Sequence, residues 1–109
     1  MNTIELSETI GRLTIHFLAK SVGRDWNIII CGGDKPHIGA VALASPDCSC
    51  SLICLPDHRE GELAQRVATV IAAQINATVC VSCGIHLENI TPDEILLVNA
   101  MVEKITKKF

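Results

Sequence analysis

The sequence predicts an α+β domain: a mostly antiparallel sheet of five to six strands with two helices packed on one face. Two observations carry this. In the first half, short apolar segments alternate in hydrophobicity and are joined by brief Gly-, Asp- and Ser-containing breaks, the pattern of consecutive hairpins. In the second half the apolar period lengthens to that of a helix, returns to a strand, and lengthens again, giving the order β-β-β-β-β-α-β-α.

The elements follow in order. Residues 3–9 and 13–22 alternate, with Leu13, Ile15 and Phe17 on one face and Thr14 and His16 on the other, and Gly11-Arg12 separates them. Ser21-Val22-Gly23-Arg24-Asp25 makes the next break, ahead of a buried strand at 26–31. Strands at 38–44 and 50–55 flank the turn Ser45-Pro46-Asp47. From 59 to 75, Leu63, Val67, Val70, Ile71 and Ile75 define a helical stripe widened by Ala64, Ala68 and Ala72. Asp57 is its expected N-cap, Glu60 its capping-box partner and Asn76 its C-terminal stop. A short β-branched strand follows at 77–83. Thr91-Pro92-Asp93-Glu94 opens a second helix on Ile95, Val98, Val102 and Ile105, which closes on lysines that complement its dipole.

At 109 residues the chain fits a single domain, 1–109. Hydrophobic residues make up 49%, enough for a packed core, whereas aromatics are only 3% and the net charge is −3. Few stacking residues and no basic stripe argue against nucleic-acid binding. No apolar run reaches membrane-span length, and MNTIELSET lacks the basic start of a secretory signal, so the expected location is the cytoplasm. Six cysteines, without a signal peptide, read as reduced thiols rather than a disulfide framework. Cys80 and Cys83 have C-x-x-C spacing, but positions i and i+3 of a strand face opposite ways, which disfavours a shared zinc.

Three of the four histidines lie at element boundaries: His37 after Gly32-Gly33-Asp34-Lys35-Pro36, His58 at the start of the first helix, and His86 just past the last strand. Loops at strand ends are where sites are built, and imidazole is a common metal ligand. His37, His58 and His86 are therefore the candidate metal set, and Asp34, Asp57, Glu60 and Glu88 are candidates to orient the imidazoles. His16, alternating within a strand, reads as structural. Gly32-Gly33 allows close ligand approach and an amide nest, yet no Walker or dinucleotide-binding pattern is present. No Ser-His-Asp order or nucleophile elbow is apparent, so no catalytic residue is assigned.

The segments GGDKPHIGAVAL, LPDHREGELAQRVA and VSCGIHLENITPDEI, in this order, resemble the small prenylated-flavin chaperone-like proteins that accompany reversible aromatic-acid decarboxylases, such as the gallate decarboxylase system. The resemblance spans about residues 28–97. It implies a fold like that of the small proteasome-assembly chaperones, usually dimeric. It also implies a non-catalytic role: holding reduced prenylated FMN and delivering it to an apo-decarboxylase. The family pattern falls on Gly33, His37, Gly39, His58, Glu60, Gly84 and His86. The cofactor-binding set expected on this basis is Gly32, Gly33, Asp34, His37, Gly39 and Arg59, with the Gly32-Gly33 amides or Arg59 taking the phosphate and a divalent metal as an added cofactor. Two rival readings stand beside it: a small metal-dependent enzyme using the loop histidines, and an assembly chaperone that binds only protein. A sheet covered on one face needs a cover for the other, and a two-fold homodimer is the expected solution. Trp26 is expected in the core or near that contact.

Overall fold

The computed structural model describes residues 1–56 and 59–109. It contains β1 (Thr3–Ile10), β2 (Leu13–Val22), β3 (Asp25–Gly33), β4 (Ala40–Ala44), β5 (Cys50–Cys54), α1 (Gly61–Ile75), β6 (Val79–His86) and α2 (Pro92–Thr106). The element order is the one expected, and the class is α+β. The six strands form one sheet in the order β1-β2-β3-β6-β4-β5. All pairings are antiparallel except β3 with β6, which run parallel.

Strand alternation sorts the residues as the pattern predicts. Leu13, Ile15, Phe17 and Ala19 on β2, Ile28 and Ile30 on β3, and Val79, Val81 and Cys83 on β6 all point to the helix-covered face and are buried. On β4 that face carries only Ala40, Ala42 and Ala44. Helix α1 answers with Ala64, Ala68 and Ala72, interspersed with Val67 and Ile71. Small residues on both sides let the helix lie close over the β4–β6 seam. Helix α2 buries Val98, Met101, Val102 and Ile105 over β2 and beside α1. Trp26 is half-buried on this same side, edge-on to Phe109 with ring centroids 5.1 Å apart, so its role is in the core.

The helix ends differ from each other. At α2, Thr91 accepts from the Glu94 amide and the Glu94 carboxylate accepts from the Thr91 amide, the expected capping box. Arg12, in the β1–β2 turn, grips the same Glu94 with two contacts of 2.8 Å. These bonds hold the Glu94 carboxyl down at about 2. At α1 the expectation fails. The helix starts at Gly61, Glu60 occupies the N-cap position, and its side chain makes no cap bond. Glu60 is therefore not a capping-box partner, and Asp57 lies outside the described residues. Asn76 ends α1 in the left-handed conformation, φ 52°, as its type allows.

The other face of the sheet carries no helix. Across it run Leu18, Ile29, Ser82, Val41 and Ile53, one from each of five neighbouring strands in register. His16 also lies there, its Nδ1 2.8 Å from Ser7 Oγ, in the structural role expected of it. Among the described residues no helix is long and apolar enough to cross a membrane.

Candidate functional site

Because β3 and β6 run parallel, their C-terminal ends lie side by side, and the pairing runs to Gly33 opposite His86. Strand β6 thus extends three residues beyond the expected 77–83, and His86 is its last residue rather than the first of a loop. Gly33 makes this possible. Its φ is +76°, and a Cβ there would sit 1.8 Å from the His86 carbonyl oxygen. The chain then crosses over β6 towards β4. At the crossing the His37 carbonyl lies on Gly84, where a Cβ would come within 1.8 Å of that oxygen. Beyond it, the Gly39 amide donates to the Cys83 carbonyl, and the Gly39 carbonyl accepts from the Leu55 amide.

This crossing aims His37 at the start of α1. Its Nδ1 is 3.0 Å from the Lys35 carbonyl oxygen, which can only accept, so Nδ1 carries a proton. Its Nε2 is 3.0 Å from Glu60 Oε1, an ion-pair distance at an angle short of a good hydrogen bond. Glu60 is thus an orienting partner of His37. Glu88 lies 3.3 Å from His86 Nε2 and does the same at the second histidine. Asp34 instead accepts from the Glu88 amide and fixes the turn after β6.

These elements border an open cavity of about 850 Å³, at the upper end of the size expected of a small-molecule site. Its apolar wall is built by Leu63 of α1, Ile85 and Leu87 at the end of β6, and Ile95 and Val98 of α2. Ile38, Leu55 and Ile90 come from the loops. The polar lining is Lys35, His37, Arg59, Glu60, His86 and Asn99. Lys35 and Arg59 bring two cations to this lining, and among the described residues neither has a carboxylate within ion-pair distance. Cys83 lies buried beneath. Its thiol is pushed up to about 12, first by burial and then by the nearby Glu60 and Cys31, which makes it inert.

Of the six expected cofactor-binding residues, His37 and Arg59 line the cavity. Gly32, Gly33, Asp34 and Gly39 stand behind it, their backbone or side-chain groups engaged in strand pairing and turns. Of the candidate metal set, His37 and His86 line the cavity, and His58 lies outside the described residues. Among the described residues no three His, Cys, Asp or Glu side chains gather in a metal-holding group. Sequence reasoning missed Lys35 and the whole contribution of α2. One signal was available at Ile90, a large apolar residue in a loop next to the motif residues; Ile38 and Leu55, read as ends of the strands 38–44 and 50–55, fall instead in loops, because β4 is Ala40–Ala44 and β5 is Cys50–Cys54.

The comparisons with known proteins agree with this frame. Residues 9–109 match the prenylated flavin chaperone LpdD-like domain. The chain belongs to that family. It is 24% identical over 92 residues to protein LpdD of Lactiplantibacillus plantarum, covering 80% of this chain and 68% of that one. Its fold resembles a chain of a crystal structure of a chaperone complex for yeast 20S proteasome assembly. There the TM-score is 0.57 at 22% identity, over 99% of this chain and 92% of that one. That likeness concerns the fold, and it is the architecture the sequence motifs imply.

Proposed function

We propose that this LpdD-like chaperone domain binds reduced prenylated FMN in the cavity between the 34–39 loop, the start of α1 and the first half of α2, and hands it to an apo-decarboxylase. The observation that carries the reading is the cavity's composition. An aliphatic wall suits the fused four-ring system of prenylated FMN, and two cations in the lining, Lys35 and Arg59, suit its phosphate. Anaerobic titration with reduced prenylated FMN, followed by flavin absorbance and fluorescence, tests it. Saturable one-to-one binding is expected, weakened when Lys35 and Arg59 are both replaced by Ala. An absence of binding at a hundred micromolar would sink the reading and favour a chaperone that engages only protein.

A divalent metal on His37, His58 and His86 has less support. Both ring nitrogens of His37 face oxygen atoms, those of the Lys35 carbonyl and Glu60, so a metal bound there would have to displace one of them. Elemental analysis of the purified protein decides it: a stoichiometric metal lost on replacing His86 would restore the metal reading. A homodimer through the open face belongs to the same proposal, because Leu18, Ile29, Val41 and Ile53 form an apolar row there, interrupted only by Ser82. Light scattering is expected to give twice the chain mass, and Ile29→Asp the single mass. A monomer at all micromolar concentrations rules it out.

A further inference from the structure

Glu60 holds a polar atom to which no described residue supplies a hydrogen bond. Its side chain is only 12% exposed and lines the cavity. Oε1 faces His37, but Oε2 is buried and has no hydrogen-bond partner among the described residues. The carboxylate does not cap α1, although it stands at the N-cap position. Its buried neighbour Cys83 keeps its proton and makes no bond to it. Unsatisfied buried oxygens are rare because each forfeits hydration without return. An ionised carboxylate oxygen can only accept. Oε2 itself is closed to solvent, while other atoms of the side chain line the cavity, so a small turn of the carboxylate is what brings Oε2 to a donor, N–H or O–H, on whatever fills the cavity.

We infer that Glu60 Oε2 accepts a hydrogen bond from the imide N–H of the bound flavin, N3–H, and thereby sets which way the ring system enters. This rests on the cofactor reading above. The pyrimidine end of an isoalloxazine presents one N–H between two carbonyls, and that proton is retained in oxidised and reduced forms. The opposite, dimethylbenzene end and the prenyl-derived ring are apolar and match the aliphatic wall. A ring turned end for end would press its dimethylbenzene edge on the carboxylate and leave both the charge and the imide unpaired. Glu60 acts as an orientation gate on the ligand, and His37 fixes the carboxylate by holding its other oxygen.

The test compares reduced prenylated FMN with its N3-methylated counterpart, both anaerobic, on the full chain and on Glu60→Gln and Glu60→Ala. A hydrogen bond to a charged acceptor corresponds to roughly 10- to 100-fold in affinity. N3-methylation is expected to weaken binding to the wild type by about that factor. Glu60→Ala is expected to bind both flavins equally and weakly. Glu60→Gln, whose amide oxygen still accepts, is expected to keep a reduced preference. The inference is overturned if the wild type binds both flavins equally, or if Glu60→Ala keeps the parent affinity, as it would if Oε2 held only water. If the wild type binds neither flavin, the cofactor reading itself falls and takes this inference with it.

Discussion

Replacing Gly84 by alanine probes how the loop that carries His37 is held. A Cβ at this position would sit 1.8 Å from the His37 carbonyl oxygen, 2.3 Å from its carbon and 3.0 Å from the Ile38 nitrogen. All three are backbone atoms, so no side chain can swing aside. Ordinary contact begins near 3.4 Å, so the crossing loop must lift by about 1.6 Å. Two losses follow. Overpacking of this kind costs about 1–3 kcal/mol, which for a domain this size lowers Tm by about 4–12 °C. The lift also carries His37 away from Glu60, now 3.0 Å distant, and so releases the carboxylate proposed to accept from the flavin imide; loss of such a charge-assisted hydrogen bond, about 1.5–3 kcal/mol, corresponds to roughly 10- to 100-fold in ligand affinity. Circular dichroism reads the first loss and anaerobic flavin titration the second. Ile15→Val is the control. Ile15 is fully buried on β2 and does not line the cavity, so this variant is expected to lose about 0.5–1.5 kcal/mol with unchanged affinity. A Gly84→Ala protein that melts within a degree of wild type and binds flavin within twofold of it would refute the crossing geometry.

Four further outcomes are expected. Ile71→Ala, at a fully buried position of α1, should cost about 2–5 kcal/mol by chemical denaturation; a cost under 1 kcal/mol would mean that α1 is not seated on the sheet. Glu94 titrates at about 2 instead of the ordinary 4.5. The unfolded chain therefore takes up its proton first, and the stability this carboxylate contributes is full above about pH 4.5 and lost as pH falls towards 2. Urea melts at pH 7 and pH 3 should show a smaller difference for Glu94→Gln than for wild type, and an equal difference would contradict the assignment. Native alkylation at pH 8 should modify the exposed Cys48 and Cys54 and leave Cys83 untouched, as peptide mass mapping will read. Finally, Lys35→Ala combined with Arg59→Ala should weaken FMN-type ligands while sparing the phosphate-free riboflavin counterpart. Equal loss for both would place the phosphate elsewhere.

Much of the fold could be read directly, because each element announced itself through a local signal. The alternation of Leu13, Ile15 and Phe17 on β2 against His16 and Leu18, the alanine-widened stripe of α1 and the Thr91–Glu94 box are all decided within a few residues. The errors fall where distant chain segments decide. Glu60 and Asp57 look like a capping box from spacing alone, yet Glu60 belongs to His37, 23 positions earlier in the chain. The reach of β6 to His86 depends on Gly33 and the partner strand, which no window around residues 77–83 contains. The cavity was half legible. His37, Arg59 and His86 stood out by type and position, whereas Ile95 and Val98 looked like ordinary core stripe until α2 was seen to end its apolar face over an open space.

The convergence of the motifs depends on one topological choice. The chain leaves β3 at Gly33, makes β4, β5 and α1, and returns as β6 beside β3 in the same direction. In a sheet of hairpins alone, neighbouring strands end at opposite edges. Residues following β3 and residues closing β6 would then lie a strand length apart, about 25 Å for eight residues. The parallel pair removes that separation and delivers the loops bearing His37 and His86 to the same edge. The inserted β4–β5 hairpin does the rest: its return strand ends at Cys54, so the following chain starts α1 at this edge too, bringing Arg59 and Glu60 with it. Three segments separated by more than 20 residues in sequence thus meet because one crossover is parallel and one hairpin is short. Glycine at 33 and 84 is the local condition for that arrangement, since each lets backbone pass over backbone where any side chain would intervene. Changes at these two positions should therefore reach the ligand through the loops, while changes on the open face should alter assembly and leave the cavity's chemistry intact.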